Sequence, residues 1–419
     1  MKLLVMTGDA PAIVAELRRA SPPPPDLESV VRAIIDDVRA HGDDAVRAHT
    51  RRLDGADLPE RYAIPAADLE AALAGLDPDL RAALELAVAN IRAYHEREMP
   101  VAWRRRLAQG QVVGQEIVPL ASAGLYVPGG LADYPSSVLM TAIPAQVAGV
   151  GRLVVCSPAR GGGGVASGVA AAAALLGIGD VLPVGGAQAI AALAFGTATV
   201  PRCDVIVGPG NAYVTEAKRQ VMGEVRVDGL AGPSEVLIIA DESGRPDWLA
   251  ADLLAQAEHG AGASAALLDV GGTLVERVVA EVGRLAAELG LDADRVAIVS
   301  CADRAAALAV VDAFAPEHLE LHTADADALV PLVRNAGAVF VGPLAATAFA
   351  DYAAGTNHVL PTGGSARFSQ GLSVVGFQKR VAVVELDGPA ARALARPVAA
   401  IAEAEGLRSH ARSARLRAD

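Results

Sequence analysis

The sequence has little cysteine and no excess of positive charge. Its three cysteines, Cys156, Cys203 and Cys301, lie far apart and form no CxxC pair. This argues against a disulfide framework and a thiolate zinc site, and a reducing cytoplasm fits best. The chain has 49 acidic and 36 basic residues, and its formal net charge of −13 repels phosphate backbones and anionic lipid head groups. We therefore predict a cytoplasmic protein that binds no nucleic acid.

The sequence also lacks the pattern of a signal peptide or a membrane span. An apolar stretch near the start is interrupted by Gly8, Asp9 and Pro11 before a signal-peptide core forms. Residues 161–201 carry one charged side chain, Asp180, but glycines interrupt them repeatedly, which a lipid-exposed helix tolerates poorly. We predict that this stretch is buried in a globular protein and that no membrane is a partner.

The hydrophobic pattern predicts an α/β protein. Hydrophobic residues make up 52% of the 419 residues, enough for a large core and two or three domains. From about residue 119, short apolar runs such as GLYV, RLVVC and EVLIIAD end at turn-forming residues and lead into Ala-rich stretches of helical spacing. A second set, ASAALLDV, RVAIVS and AGAVFVG, follows. This alternation is typical of βαβ units and therefore of two parallel sheets.

Glycine-rich junctions follow three of the predicted strands: YVPGG (126–130), VGGAQAI (184–190) and VGPGNAYVTEAK (207–218). Such junctions expose backbone N–H groups at a helix start, where pyrophosphate or another anion binds. The sequence contains no GxGxxG, and each junction alone is also typical of a tight turn in an α/β core. Three junctions with Tyr126, Gln188 and Asn211 at or beside them favour a nucleotide crevice.

Two polar pairs are candidates for chemistry. Glu317 and His318, in FAPEHLEL, can act as general acid and general base if both reach one cavity. A solvated helix start has the same pattern. Gln256 and His259, in DLLAQAEHG, would share a helix face. With Asp351 and His410 they would offer zinc a nitrogen and oxygen ligand set with positions left for a substrate. Spacing alone does not distinguish such a site from an ordinary polar face.

Taken together, these segments resemble the histidinol dehydrogenase family. The matching stretches run from about residue 120 to the end of the chain: GLYVPGGLADYPSSVLMTAIPAQVAGV (124–150), VGGAQAIAALAFGT (184–197), VGPGNAYVTEAKRQVMG (207–223), DGLAGPSEVLIIAD (228–241), DLLAQAEHG (252–260), FAPEHLEL (314–321), DYAAGTNHVLPTGGSARFSQGLSV (351–374) and EGLRSH (405–410). Ala350 and Gly376 depart from the family pattern, where glycine and aspartate are usual. Asn357 and His358 match it, but they serve equally well to fix a turn.

The resemblance implies one zinc per active site, with the ligands Gln256, His259, Asp351 and His410. It implies NAD contacts at Tyr126, Gln188 and Asn211, and proton acceptors at Glu317 and His318. The implied contacts with the substrate are Ser234, Gln256, His259, Glu317, His318, Asp351, Glu405 and His410. None of the three cysteines is assigned chemistry. We expect the remaining histidines, His41, His49, His95 and His322, at the surface.

The resemblance also implies an architecture of two incomplete Rossmann-like parallel-sheet domains with helical arms at both ends. The expected divisions are an N-terminal arm (1–21), a larger α/β domain (22–125 plus 234–372), an inserted smaller domain that contacts NAD (126–233) and a C-terminal helical arm for dimerisation (373–419). Family members are homodimers whose C-terminal segment reaches the partner's active site. That agrees with a basic helical tail too short to fold alone.

The resulting expectation is an enzyme that oxidises L-histidinol to L-histidine through L-histidinaldehyde, in two NAD-dependent hydride transfers at the end of histidine biosynthesis, with zinc orienting the substrate. One alternative is a related zinc and NAD dehydrogenase of another small alcohol, such as an amino alcohol or a sulfonated diol. Another is a non-catalytic protein that binds a nucleotide or a metal, which the presence of both Glu317 and His318 disfavours.

Overall fold

Two parallel sheets and one small antiparallel sheet carry the fold, as the α/β pattern predicts. The computed structural model describes residues 2–5, 9–18, 26–129, 133–160, 162–260, 262–293 and 296–418. Gly130, the last residue of the first glycine junction, lies outside these ranges. Among the helices within them, none is both long and apolar enough to cross a membrane.

The larger sheet has six parallel strands in the order β1-β11-β10-β9-β12-β13. The strands are β1 (Lys2–Val5), β9 (Glu235–Ala240), β10 (Ser264–Val270), β11 (Val296–Cys301), β12 (His318–His322) and β13 (Ala338–Val341). Helices α1 (Ala10–Leu17) and α12 (Arg304–Phe314) pack on one face, and α10 (Pro246–Ala257) and α11 (Val275–Leu289) pack on the other. Because side chains alternate along a strand, each central strand sends apolar residues to both faces.

Strand β12 departs from this pattern on one face. Its Leu319 and Leu321 join the core beneath α1 and α12. The alternate residues, His318, Glu320 and His322, point to the face that α10 covers and are all buried. A row of three ionisable side chains therefore lies inside the protein between β12 and α10.

The smaller sheet has five parallel strands in the order β6-β5-β4-β7-β8. These are β4 (Ser122–Tyr126), β5 (Arg152–Cys156), β6 (Asp180–Leu182), β7 (Val205–Val207) and β8 (Arg226–Val227). Apolar helices cover both faces of this sheet: α6 (Pro135–Ala148), α7 (Ser167–Leu175), α8 (Gly186–Phe195) and α9 (Ala212–Val221). This packing explains why residues 161–201 are almost uncharged.

The N-terminal helices are α2 (Leu27–His41), α3 (Asp43–Asp54), α4 (Ala66–Ala74) and α5 (Pro78–Glu96). Helix α2 packs on α8 and α9, α4 on α7, and α5 on α6, so this layer surrounds the smaller sheet. Strand β1, which precedes these helices in the chain, instead pairs with β11 in the larger sheet. The packing thus differs from the expected divisions, which group 22–125 with the larger domain and give 1–21 to an arm. The boundaries themselves stay a prediction.

A separate arm follows the larger sheet. Strand β14 (Gln378–Glu385) pairs antiparallel with β3 (Val112–Pro119), which also pairs with β2 (Trp103–Arg106). Helices α15 (Gly388–Ala404) and α16 (Arg408–Arg415) then pack on each other through alanines. Within the described ranges, the structure also has α13 (Ala326–Leu329), α14 (Thr347–Tyr352) and short 3-10 helices at Val330–Leu332, Ser365–Arg367 and Val374–Phe377.

Gly208, at the end of β7, provides a test of the smaller sheet. Its φ is +113°, and a Cβ atom there would lie 2.0 Å from the carbonyl oxygen of Tyr126. We expect Gly208→Ala to lower the free energy of unfolding by more than about 2 kcal/mol, measured by denaturant titration. The matched control is Gly229→Ala, whose Cβ would have no atom within 4 Å, with an expected change below about 0.5 kcal/mol. Equal stability of the two variants would contradict this packing.

Candidate active site

The predicted acid and base pair lies at the amino edge of the larger sheet. Glu317 directly precedes β12 and His318 begins it, and both side chains are buried. The hypothesis of a solvated helix start is therefore wrong. Helix α12 ends at Phe314, and Ala315 takes a left-handed conformation with φ 49°, which turns the chain into the strand. This strained backbone is rare for a residue with a Cβ and sets the entry of the pair into the site.

The carboxylate of Glu317 is held by the start of the neighbouring strand β9. Its Oε2 accepts a hydrogen bond from the Ser234 hydroxyl at 2.6 Å and another from the Glu235 backbone N–H at 2.9 Å. Burial raises the pKa of Glu317 to about 7, while these two hydrogen bonds oppose the rise by favouring the ionised form. Glu317 can therefore take up and release a proton near neutral pH.

The ring of His318 is oriented by the same strand. Its Nδ1 lies 3.0 Å from the carbonyl oxygen of Glu235. Because a carbonyl oxygen only accepts hydrogen bonds, Nδ1 must carry the proton, and Nε2 of the neutral ring is left as a base. Burial lowers the pKa of His318 and so favours this neutral ring. The buried Nε2 has no hydrogen-bond partner and lies 3.9 Å from Asp351 Oδ1.

Three of the four predicted zinc ligands surround this pair. Asp351 lies on α14, and burial raises its pKa while the nearby imidazoles of His318 and His259 oppose that rise. The imidazole of His259 likewise opposes the rise in the pKa of Glu317. Gln256 is buried at the end of α10 with its Nε2 unpartnered. The amide oxygen of Gln256, the carboxylate of Asp351 and the imidazole of His259 form an oxygen and nitrogen donor set that fits zinc.

The expected shared helix face of Gln256 and His259 is wrong in detail. Helix α10 ends at Ala257, and His259 lies in the turn that follows. Its backbone N–H donates to the Gln256 carbonyl at 3.2 Å, and its Nδ1 lies 3.1 Å from the Ala255 carbonyl. This leaves Nε2 of an exposed ring available to a ligand. The tight turn, rather than helical spacing, brings the two residues together.

The fourth predicted ligand, His410, lies in the C-terminal arm. His410 is exposed on α16, and Glu405 caps the end of α15 and is also exposed. Within the described ranges, no hydrogen bond or ion pair joins either residue to Gln256, His259 or Asp351. His410 therefore lies on a different element from Gln256, His259 and Asp351, on the C-terminal arm.

The three predicted NAD contacts lie at the carboxyl edge of the smaller sheet. Tyr126 ends β4, and its hydroxyl accepts a hydrogen bond from the Gly186 N–H at 3.0 Å, which ties two glycine junctions together. Gln188 is fully buried, and both polar atoms of its amide are unpartnered. The Asn211 carbonyl oxygen caps α9 by accepting from the N–H groups of Tyr213 and Val214, which leaves its NH2 group unused.

Sequence reasoning missed a buried cluster beside the predicted acid and base pair. Asp252 on α10 and Glu320 and His322 on β12 place one possible ligand atom each within 4.8 Å of one another. His322 and His95, which we expected at the surface, are only 1% and 0% exposed. His95 Nδ1 lies 2.7 Å from Glu98, and its Nε2 faces Asn357. The alternation in HLELH was the signal for the burial of His322, because it puts residues 318, 320 and 322 on one face.

Asn357 and His358 support the site rather than line it. The Asn357 amide donates to the Met140 carbonyl at 2.7 Å. His358 Nδ1 lies 2.9 Å from the backbone oxygen of Asp351, and burial lowers the pKa of His358 to about 4, so the neutral ring donates that hydrogen bond. The ring of His358 therefore holds the backbone of a predicted zinc ligand.

The three cysteines take no part in this site. All are buried, and burial raises the pKa of Cys203 to about 12, that of Cys301 to about 11 and that of Cys156 well above its usual range. A thiol that stays protonated is a poor nucleophile. This agrees with the prediction that the cysteines carry no chemistry.

Comparison with known proteins identifies the family. The sequence model of the family described as histidinol dehydrogenase matches residues 17–418. The chain is 47% identical over 400 residues to a histidinol dehydrogenase of Rhizobium meliloti (strain 1021), covering 94% of this chain and 92% of that protein. It is 49% identical over 403 residues to one of Cereibacter sphaeroides, covering 94% and 93%.

The fold agrees with the sequence comparison. The crystal structure of histidinol dehydrogenase from Elizabethkingia anophelis is similar with a TM-score of 0.93 and 31% sequence identity, covering 100% of this chain and 98% of that chain. The resemblance expected from the motifs is thereby confirmed over nearly the whole length, including the N-terminal third. The chain belongs to the histidinol dehydrogenase family.

Proposed function

We propose that this chain oxidises L-histidinol to L-histidine through L-histidinaldehyde at the site around Glu317 and His318. The reaction is that of its family, whose members are NAD-dependent oxidoreductases of histidine biosynthesis. The observation that carries the proposal is the buried His318 ring, whose Nδ1–H is held by the Glu235 carbonyl and whose Nε2 is free to accept a proton.

Zinc is the group that the donor set fits. Gln256, His259 and Asp351 of one subunit and the partner subunit's His410 would hold it. When bound, it supplies a template that fixes the imidazole and amine of histidinol, so that the carbinol carbon is held in one orientation. Gln256 is buried at the end of α10, and its amide oxygen is the atom that would bind the ion. The buried cluster of Asp252, Glu320 and His322 is a different set of residues.

NAD would lie against the glycine junctions of the smaller sheet, and it accepts one hydride in each oxidation. The fully buried, unpartnered amide of Gln188 and the unused NH2 group of Asn211 support this placement. Both face the carboxyl edge of the smaller sheet, where backbone N–H groups and helix starts favour a pyrophosphate.

The protein's own contribution is the movement of protons. In the first oxidation, His318 Nε2 accepts the hydroxyl proton as the C–H bond of the carbinol breaks, which gives the aldehyde. In the second, ionised Glu317 takes a proton from water as the oxygen adds to the aldehyde, and the former carbonyl oxygen takes a proton from His318, which gives a gem-diol. The diol then loses one hydride to NAD and one proton to His318, which gives the carboxylic acid. Each of the two oxidations therefore transfers one hydride and releases one proton.

A homodimer with shared sites is supported by the surface of the C-terminal arm. Val384, Ile401 and Leu416 are exposed by 63%, 62% and 55%. Three large aliphatic side chains on one small arm indicate a surface that another protein covers. A second copy is the natural occupant because the arm carries His410, which the family resemblance assigns to the partner's active site. A cytoplasmic location and the absence of a nucleic-acid partner stay predictions.

The reaction is tested by the substrate and by His318. Wild-type protein with zinc should form two NADH per L-histidinol, and far less with an amino alcohol lacking imidazole or with a sulfonated diol. We expect His318→Gln to lower kcat by about 10²- to 10⁴-fold with zinc content per chain unchanged, because only the proton acceptor is lost.

His41→Gln is the matched control for this variant, since that exposed histidine bonds Asp37 on α2, far along the chain from the site. Its kcat should stay at the wild-type value. No NADH from L-histidinol, or a His318→Gln enzyme within about tenfold of wild type, would contradict the proposal.

The role of Glu317 predicts a pH shift. The Ser234 hydroxyl bonds Glu317 and favours its ionised form, so Ser234→Ala should raise the pKa of Glu317. With L-histidinaldehyde as substrate, activity requires ionised Glu317, and the acidic limb of the kcat/KM profile should move to higher pH. Ser264→Ala is the control, because that hydroxyl donates to the Leu17 carbonyl instead. A limb that stays in place or moves to lower pH in Ser234→Ala would contradict the assignment.

Sharing of the site between subunits is tested with mixed dimers. His410→Ala and Glu317→Gln homodimers should each be nearly inactive. In a mixed dimer, one site carries both substitutions and the other carries neither, so an equal mixture should regain about a quarter of wild-type activity. If His410 served its own subunit, every site would keep one defect, and mixing would restore nothing.

A further inference from the structure

The buried cluster of Asp252, Glu320 and His322 has no part in the proton transfers described above. Glu320 is fully buried on β12, and its Oε2 lies 3.3 Å from His322 Nε2. Asp252 Oδ2 lies 3.9 Å from the same nitrogen. Glu320 Oε2 and both ring nitrogens of His322 have no hydrogen-bond partner of good geometry. Buried ionisable groups of this kind are costly, so their presence needs a physical reason.

The other oxygen of Glu320 provides that reason. Its Oε1 accepts hydrogen bonds from the backbone N–H of Thr347 at 2.8 Å and from the Thr347 hydroxyl at 2.7 Å. Thr347 is the first residue of α14, and the N-cap residue Ala346 has no side chain that can cap the helix. Glu320 therefore caps α14 from a neighbouring strand, which satisfies a donor at the start of that helix.

Each element around Glu320 also carries a residue of the proposed zinc site. On α14, Asp351 lies one turn after Thr347. On α10, Gln256 lies one turn after Asp252. On β12, His318 lies two residues before Glu320, on the same face. The cluster thus lies next to the proposed zinc site and connects α14, α10 and β12. These three elements carry Asp351, Gln256 and His318.

We infer that Glu320 is a positioning residue for zinc, which sets Asp351 relative to Gln256 and His318 by capping α14. The inference rests on the proposed zinc site. Carboxylates that orient metal ligands through a second layer of hydrogen bonds typically change metal affinity by about 10- to 100-fold when removed.

The cluster is better explained as a support than as a second metal site. Glu320 Oε1 is already engaged by two donors from Thr347. Burial, followed by the negative charge of Glu320, raises the pKa of Asp252 to about 7, so its carboxyl can keep a proton near neutral pH and is then a poor metal ligand.

The test is the zinc dissociation constant of the full-length protein, measured by competition with a chromophoric chelator, together with zinc per chain. Glu320→Ala should weaken zinc binding by about 10- to 100-fold. Glu320→Gln should recover most of the affinity, because an amide oxygen can still accept both bonds from Thr347. If Glu320→Ala does not fold, Thr347→Val tests the same link, since it removes only the hydroxyl bond and should weaken zinc binding to a smaller extent.

Asp269→Ala is the matched control. Asp269 is a fully buried carboxylate on β10 whose Oδ2 accepts from the N–H groups of Leu274 and Val275 at the start of α11. It caps a helix as Glu320 does, but at the carboxyl edge of the sheet, opposite the site. Its loss should reduce stability and leave zinc affinity unchanged.

Three results would overturn the inference. Unchanged zinc affinity in Glu320→Ala and Thr347→Val removes the positioning role and leaves the proposed function intact. Equal weakening in Asp269→Ala means that the effect is general destabilisation. Two zinc ions per wild-type chain, with one lost in Glu320→Ala, means that the cluster itself binds metal. Wild-type protein that binds no zinc would instead contradict the proposed function.

Discussion

The site depends on one hydrogen bond, from His318 Nδ1–H to the backbone carbonyl of Glu235. It fixes which ring nitrogen carries the proton, and therefore which one can act as a base. The N–H of the same residue holds Glu317. The first peptide groups of β9 thus orient both Glu317 and His318. This orientation gives each of the two side chains its proposed role in proton transfer.

The sheet arrangement makes this possible. Parallel pairing of β9 with β12 brings residues 234–235 next to 317–318. Helix α10 runs back across the sheet and ends at the same edge, which delivers Gln256 and His259. The proposed substrate site therefore lies at the amino edge of the larger sheet, whereas the predicted NAD contacts lie at the carboxyl edge of the smaller one. The proposed reaction therefore needs both sheets, because one would bind the substrate and the other would bind NAD.

Much of this was predictable from the sequence, and the exceptions have physical reasons. The alternation of apolar runs predicted two parallel sheets, and the long motifs identified the family. The helix expected over Gln256 and His259 ends too early, because backbone bonds of the turn replace helical ones. His322 was expected at the surface with three other histidines, although the alternation in HLELH places it on the face of β12 that α10 covers. The proposed place of His410 in a partner's site rests on the family resemblance, because the spacing of residues within one chain does not encode contacts with a second.

The protonation state of His318 decides whether its Nε2 can act as the base. The chain has eight histidines, so nitrogen-15 NMR of histidine-labelled protein at neutral pH can resolve them, with His318 assigned by its loss in His318→Gln. We predict a neutral ring with the proton on Nδ1 and none on Nε2, because Nδ1 faces the Glu235 carbonyl. A ring protonated on Nε2, or on both nitrogens, would contradict it.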